Sequence, residues 1–493
     1  MPDKKAIVIG SGVAGMAAAI RLAIQGFSVD VFERNAYPGG KLSLLEKEGY
    51  RFDAGPSLFT QPHNLEQLFA EAGENIADYF QYRQVPLSCS YFFENGKVVN
   101  AWTDPQAYEA ELVEKLGERP GALQTYLRDS QSLYQSIGTI FLNHSLHRLR
   151  TWVQPAIPGA LARVKWPYLF GSLHQYNRSR FSTPEAVQIF DRYATYNGSD
   201  PYQTPGMMSL IPHLELNEGT FYPEGGMISI THALLALAEK KGVRFHFNSP
   251  AERIIEDRGR VRGVVVHQEN LPADVVVSNV DVYFTYRQLL QQPQKAAQLL
   301  KQERSCSGMI FYWGMKESFP GLHLHNIFFS REYRQEFDSI FRKKQLFPDP
   351  TVYVNITSKL EPAHAPEGGE NWFVLINAPA NTSKDVSDQR QQLRQWVLQK
   401  LSRLLQRDVE AAIAVEDYLD PQRIETKTGS YLGALYGTSS NSRMAAFLRH
   451  PNHRSSVRGL YFCGGSVHPG GGIPLCFKSA EIVGRLVASG IHH

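Results

Sequence analysis

Residues 10–15 read Gly10-Ser11-Gly12-Val13-Ala14-Gly15, between a strand-like apolar run, Ala6-Ile7-Val8-Ile9, and an Ala/Leu-rich run over 13–25. No other feature constrains the fold of this chain as strongly. A short, continuous apolar run is expected of a buried parallel strand. The run 13–25 predicts a helix that Gly26 ends, and 28–32 predicts a second strand. A beta-alpha-beta unit therefore opens the chain. Within the turn, Gly10 permits the bend, Gly12 lets backbone approach a pyrophosphate, and Gly15 lets helix and strand pack closely. The helix start offers unpaired N–H groups and a positive dipole end to phosphates. Glu33 closes the second strand about 20 residues further on, where a carboxylate suits ribose hydroxyls and repels a 2′-phosphate. Together these residues predict a dinucleotide site. Pro38-Gly39-Gly40-Lys41 follows at once, placing a cation near the same pyrophosphate.

With 493 residues, the chain exceeds one simple core and predicts two or three domains. A net charge of only +3 argues against a nucleic-acid partner. Cys89, Cys306, Cys463 and Cys476 form no CxxC pair, which suggests neither a disulfide framework nor a zinc site and fits a reducing, cytosolic setting. Residues 1–5 leave no room for a signal peptide, and no run of 18 apolar residues is found. Helices are predicted over 64–80, 106–135, 227–241, 386–406 and from 473 towards 489. Strands are predicted over 85–103 around the Asn95-Gly96 turn, 243–247, 260–267, 274–279, 308–315, 351–378 and 459–464. The Pro/Gly-rich patch 361–369 reads as a surface loop.

From Ser130 to Pro184 there is no acidic residue. The stretch carries Arg148, Arg150, Arg163, Lys165, Arg178 and Arg180, interleaved with Trp152, Trp166, Tyr168 and Phe170. Rings and cations together suit a water–lipid interface. A solvated basic helix pair, or a lid packed on its own domain, is the other reading.

Taken together, several blocks carry a family resemblance. The first 41 residues, then Phe52-Asp53-Ala54-Gly55-Pro56-Ser57, resemble the FAD-binding start of the amine oxidase and phytoene desaturase superfamily. Tyr222-Pro223-Glu224-Gly225-Gly226-Met227 and Val277-Ser278-Asn279 are similar to later blocks of bacterial-type carotenoid desaturases. The ending, Gly464-Gly465-Ser466-Val467-His468-Pro469-Gly470-Gly471-Gly472-Ile473-Pro474, resembles that family's signature and is the most specific block. Most of 85–220 and 285–440 carries no matching motif.

The resemblance implies an α/β fold: a Rossmann-like FAD-binding domain, a mixed-sheet substrate domain and a helical, membrane-facing lobe. The expected divisions are 1–84 with 222–284 and 456–493; 85–129 with 285–455; and 130–221. It also implies roles. The backbone at Val13 and Ala14 meets the pyrophosphate, and Glu33 holds the adenosine ribose. Lys41, Ser57 and Leu58 lie along the phosphate–ribityl portion, and the backbone of Ala251 pairs with adenine. Asn279 lies near the cofactor. Gly465, Gly472, Ile473, Pro474 and Leu475 meet the ribityl chain and flavin ring. Unaided by the resemblance, Gly470-Gly471-Gly472 permits close approach to a planar ring. A helix starting at Ile473-Pro474 aims its positive end at the flavin. His468 reads as a positioning residue beside the cofactor, and Cys463 and Cys476 as buried bystanders.

The implied activity is desaturation of a carotenoid by hydride transfer to FAD, with oxygen or a quinone as electron acceptor, at the cytoplasmic side of a membrane. No catalytic acid–base constellation stands out, and no metal site is expected. Where phytoene desaturases are expected to end Gly-Ile-Pro-Gly-Val, this chain has Gly472-Ile473-Pro474-Leu475-Cys476-Phe477. That ending is more similar to desaturases that place a 3,4 double bond in hydroxylated or monocyclic carotenoids. The alternatives are phytoene desaturation, flavin-dependent carotenoid isomerisation, amine oxidation and a non-enzymatic lipid-binding module.

Overall fold

The computed structural model describes residues 4–138, 141–142, 171–381, 389–442 and 449–490. Most of the basic stretch, with Arg148, Arg150, Arg163, Lys165, Trp152, Trp166, Tyr168 and Phe170, lies outside the described residues.

The opening unit folds as its pattern requires: strand Lys5–Ile9, helix Val13–Ile24 and strand Ser28–Phe32. It nucleates a five-stranded parallel sheet. The strand order is Leu460–Phe462, Val275–Ser278, Lys5–Ile9, Ser28–Phe32 and Arg244–His246. Both faces of this sheet are covered, which is why its strands are apolar without alternation. Ala6 and Val8 pack under the helices Val13–Ile24, Ile228–Lys240 and Ile473–Ala488. Ile7, Ile9 and Val276 face the other way, onto the antiparallel layer Ala251–Asp257, Arg260–Val266 and Glu269–Pro272.

A second, seven-stranded mixed sheet has the order Ile413–Leu419, Ser307–Met315, Glu370–Ala378, Val352–Asn355, His325–Phe328, Leu87–Phe92 and Val98–Trp102. All its pairs are antiparallel except His325–Phe328 with Leu87–Phe92. Side chains on a strand alternate between faces. On one face Phe311, Trp313, Trp372, Val374, Val354 and Phe328 pack against Leu393, Val397 and Leu401 of helix Arg390–Leu405. On the other, the register brings Ile310, Leu375, Tyr353, Ile327 and Tyr91 into one row across five strands. Ile310, Leu375, Tyr353 and Ile327 of that row line the functional site.

Several expectations needed correction. The helix expected over 106–135 is two helices, Pro105–Leu116 and Ala122–Leu133. Gly117 takes the left-handed conformation (φ 75°) that ends the first. The helix expected over 64–80 stops at Glu71, and only a short turn, Ile76–Asp78, follows. The patch 361–369 is not wholly surface. His364 is 3 % exposed, with Nδ1 against the Thr357 hydroxyl at 2.8 Å.

Candidate FAD and substrate site

The glycine turn is built by close approach. Gly10 has φ 96°, and a Cβ on Gly15 would stand 2.1 Å from the Gly10 carbonyl oxygen. Helix Val13–Ile24 starts at Gly12 with no side-chain cap, so its first N–H groups face the site. Glu33 is buried and fixes the turn. Its Oε2 accepts from the Ser11 backbone N–H (2.8 Å) and hydroxyl (2.9 Å), and its Oε1 from the Asn35 N–H (2.9 Å). A carboxylate has about four acceptor positions, so one remains for a ribose hydroxyl. Asn279, just past strand Val275–Ser278, ties the two chain ends together. Its N–H donates to Ile9 (2.9 Å) and its Nδ2 to the Cys463 carbonyl (3.1 Å).

The motif blocks converge. Asp53 accepts from the Met227 and Ile228 N–H groups (2.9 and 3.3 Å), joining the block around residues 52–57 to that at 222–227. Burial pushes its carboxyl up to about 6. The Lys41 amine donates to the Leu435 carbonyl at 2.6 Å, and burial pulls it down to about 8. The Ser57 hydroxyl meets the Tyr353 hydroxyl at 2.7 Å, and the Tyr312 hydroxyl donates to the Ala54 carbonyl at 3.0 Å. The loop after Asp53 is thereby held against the seven-stranded sheet.

All of this opens into one cavity of about 1300 Å³. Gly10, Gly12, Val13, Ala14, Glu33, Lys41, Ser57, Leu58, Ala251, Asn279, Gly465, Gly472, Ile473 and Pro474 line it. Gly15 does not; it packs helix on strand. Leu475 is not among the lining residues, whereas Cys476 is. His468 is buried away from the lining, with its carbonyl accepting from Asn452 Nδ2 (2.7 Å) and the Ser479 hydroxyl (3.0 Å). The three glycines at 470–472 divide their work. Gly470 and Gly471 are pressed against Arg449 and Tyr436, and only Gly472 (φ 114°) has open space where a Cβ would stand. Helix Ile473–Ala488 starts beside it with no side-chain cap. Burial raises the Cys476 thiol to about 11, so it stays protonated and unreactive at neutral pH.

Typical ligand pockets span ~300–1000 Å³. This cavity exceeds that range, leaving room for a cofactor and a second molecule. Its two ends differ. One is the glycine turn with Glu33 and Ala251; the other reaches Ser88, Arg192, Glu215 and His325 beneath the sheet. No motif marks these last four. They come from unmatched segments, and only the register of the sheet brings them together. The segment 425–429 and Tyr436-Gly437 also line the cavity without any sequence signal.

A family model described as flavin containing amine oxidoreductase matches residues 13–488. The chain belongs to that family. Its cofactor is FAD, and the uncapped helix starts, the Glu33 acceptor and the open face at Gly472 fit it. Along nearly the whole chain it is 48% identical to a 1-hydroxycarotenoid 3,4-desaturase of a Flavobacterium species, covering 98% of this chain and 99% of that one. It is 36% identical to a 4,4'-diapolycopene oxygenase of a Methylomonas species (98% and 97%) and 30% identical to a phytoene desaturase of Fusarium fujikuroi (98% and 89%). Among solved structures, an oxidoreductase from Methanosarcina mazei superposes with TM-score 0.64 at 16% identity, covering 98% and 100%. Cyclohexylamine oxidase from Brevibacterium oxydans superposes with TM-score 0.63 at 17%, covering 100% of each. At these identities the structural likeness speaks for the fold.

Proposed function

We propose that this oxidoreductase is a carotenoid desaturase that introduces the 3,4 double bond into a hydroxylated or monocyclic carotenoid. One observation carries the reading: a single cavity joins the glycine turn to a chamber under the aromatic and aliphatic row of the seven-stranded sheet. The Flavobacterium relative, similar from end to end, supports the bond and the substrate class.

When bound, FAD supplies the hydride acceptor, and oxygen or a quinone takes the electrons on. The chain binds and orients. In this reading Gly12, Val13 and Ala14 hold the pyrophosphate, Glu33 the ribose, and Ala251 the adenine. Lys41, Ser57 and Leu58 follow the phosphate–ribityl portion, and Gly465, Gly472, Ile473 and Pro474 border the ring. Ile310, Phe373, Leu375 and Ile327 exclude water from the polyene and fix its path. Hydride loss leaves a positive charge that the polyene delocalises, and the proton on the neighbouring carbon then passes to solvent water, so that one hydride and one proton leave in all. We assign no residue as base.

We also infer peripheral attachment to the cytoplasmic face of a membrane, because a polyene substrate resides in a bilayer and residues 130–184 carry no acid. Among the described residues no helix is long and apolar enough to cross one.

Purified, flavin-loaded protein offered a 1-hydroxycarotenoid and, separately, phytoene tests the reading. A product two hydrogens lighter from the hydroxycarotenoid is expected. Desaturation of phytoene alone would refute the 3,4 assignment, and a product of unchanged mass would refute desaturation.

A further inference from the structure

The cavity end beneath strands Leu87–Phe92 and His325–Phe328 is polar, although the wall leading to it is apolar. Ser88, Arg192, Glu215 and His325 line it and are each less than 9 % exposed. The Arg192 guanidinium donates to the Tyr91 hydroxyl (2.7 Å) and the Tyr196 hydroxyl (3.2 Å), and pairs with Glu215 at 3.4 Å. Glu215 also accepts from the Ser88 hydroxyl at 2.7 Å. The charge of Arg192 is therefore already balanced, and the cluster does not call for an anion.

It does leave polar atoms without partners. Asn355 Nδ2 donates one hydrogen to the Leu324 carbonyl (3.0 Å), which fixes that amide's orientation, and lies 3.2 Å from His325 Nδ1. Nδ1 also lies 2.8 Å from the Tyr353 hydroxyl, and whether it donates or accepts follows the ring's tautomer. Burial, then nearby Arg192, keeps the ring neutral, so one ring nitrogen donates and the other accepts. His325 Nε2 and Arg192 Nε–H have no hydrogen-bond partner among the described residues. Buried polar groups left unpaired are rare and costly. Arg192 and His325 both line one end of one cavity. A hydrocarbon terminus would leave both unpaired, whereas an alcohol, which both donates and accepts, pairs with either.

We propose that Arg192 and His325 form an end-group pocket that takes the oxygen of a hydroxylated polyene terminus and sets the preference for it over a hydrocarbon one. The assignment rests on the carotenoid reading above. The pocket is linked to the cofactor loop: His325 Nδ1 meets the Tyr353 hydroxyl at 2.8 Å, and that hydroxyl meets Ser57. Seating the oxygen therefore also sets how far the chain has entered.

The test is equilibrium binding in detergent micelles, read from the polyene absorption shift, with a 1-hydroxycarotenoid and its deoxy counterpart of equal length. The FAD-loaded protein should favour the alcohol about tenfold or more. His325→Phe should lower that ratio severalfold, and His325→Gln, which keeps a polar group, should restore part of it. Flavin content reports whether each variant is folded. Equal affinity of the unaltered protein for the two polyenes, or an undiminished ratio in His325→Phe, would overturn the pocket. A protein that prefers the alcohol yet desaturates neither compound would overturn the proposed activity and leave the pocket standing.

Discussion

Lys41 is a lysine whose charge the fold weakens. Burial outweighs its neighbour Asp281 and brings the amine down to about 8. A pyrophosphate beside it would favour the charged form again. The sign follows. Above pH 8 the cofactor-free protein has lost this proton, the loaded protein retains it, and binding takes a proton up. FAD affinity should then fall as pH rises from 8 towards 10, and Lys41→Met should lose that slope along with about tenfold in affinity at pH 7. Titrations of the apoprotein in buffers of different ionisation enthalpy read both. A slope unchanged in Lys41→Met would place the amine elsewhere. Glu33 and Lys41, which line the cavity, were legible because each follows the turn at a fixed spacing. Arg192 and His325 were not, since Arg192 follows helix Pro184–Asp191, His325 opens a strand, and no local pattern links the two.

At the scale of elements, the glycine turn and its helix are held by contacts that tolerate no added atom. Gly15→Ala would force its Cβ against the Gly10 carbonyl, a backbone atom that cannot turn aside. The expected cost is about 3 kcal/mol or more, with loss of bound flavin. Gly321→Ala, where nothing lies within 4 Å, is the matched control and should leave flavin content and denaturation midpoint unchanged. Denaturant titration followed by flavin fluorescence distinguishes them. Elements with one strong local signal were readable: the opening strand and helix, the Asn95-Gly96 hairpin and the closing helix. The break between Pro105–Leu116 and Ala122–Leu133 is marked only by Gly117, Pro120 and Gly121, inside a run of helical periodicity. The strand His325–Phe328 was missed for a different reason. At four residues it is too short to show a period, and pairing with Val352–Asn355 and Leu87–Phe92 holds it in place.

The whole molecule brings distant segments to one cavity. The parallel sheet takes strands from residues 5–9 and 460–462 with one strand between them, so the first and last motif blocks meet across Asn279. This explains why the cofactor end could be read from motifs, while the substrate end depended on the register of seven strands. The basic stretch is a separate matter. Of its described members, Arg180 pairs with Asp129 at 2.7 Å and stacks on Tyr176, so it is engaged within the protein. Attachment would then fall to the remaining basic and aromatic residues. Flotation with vesicles should show binding to anionic lipid that weakens as salt rises, and little to zwitterionic lipid. Salt-independent binding to both would point to apolar insertion alone.

In the proposed reaction this cavity passes a hydride from a carotenoid to FAD. Anaerobic mixing of the oxidised, flavin-loaded protein with a 1-hydroxycarotenoid tests it directly. Loss of the flavin absorption band is expected, with one product molecule, two hydrogens lighter and with a longer conjugated system, for each flavin reduced. A flavin band that stays unbleached while the carotenoid changes only its geometry, or bleaching by an amine and not by the carotenoid, would contradict it.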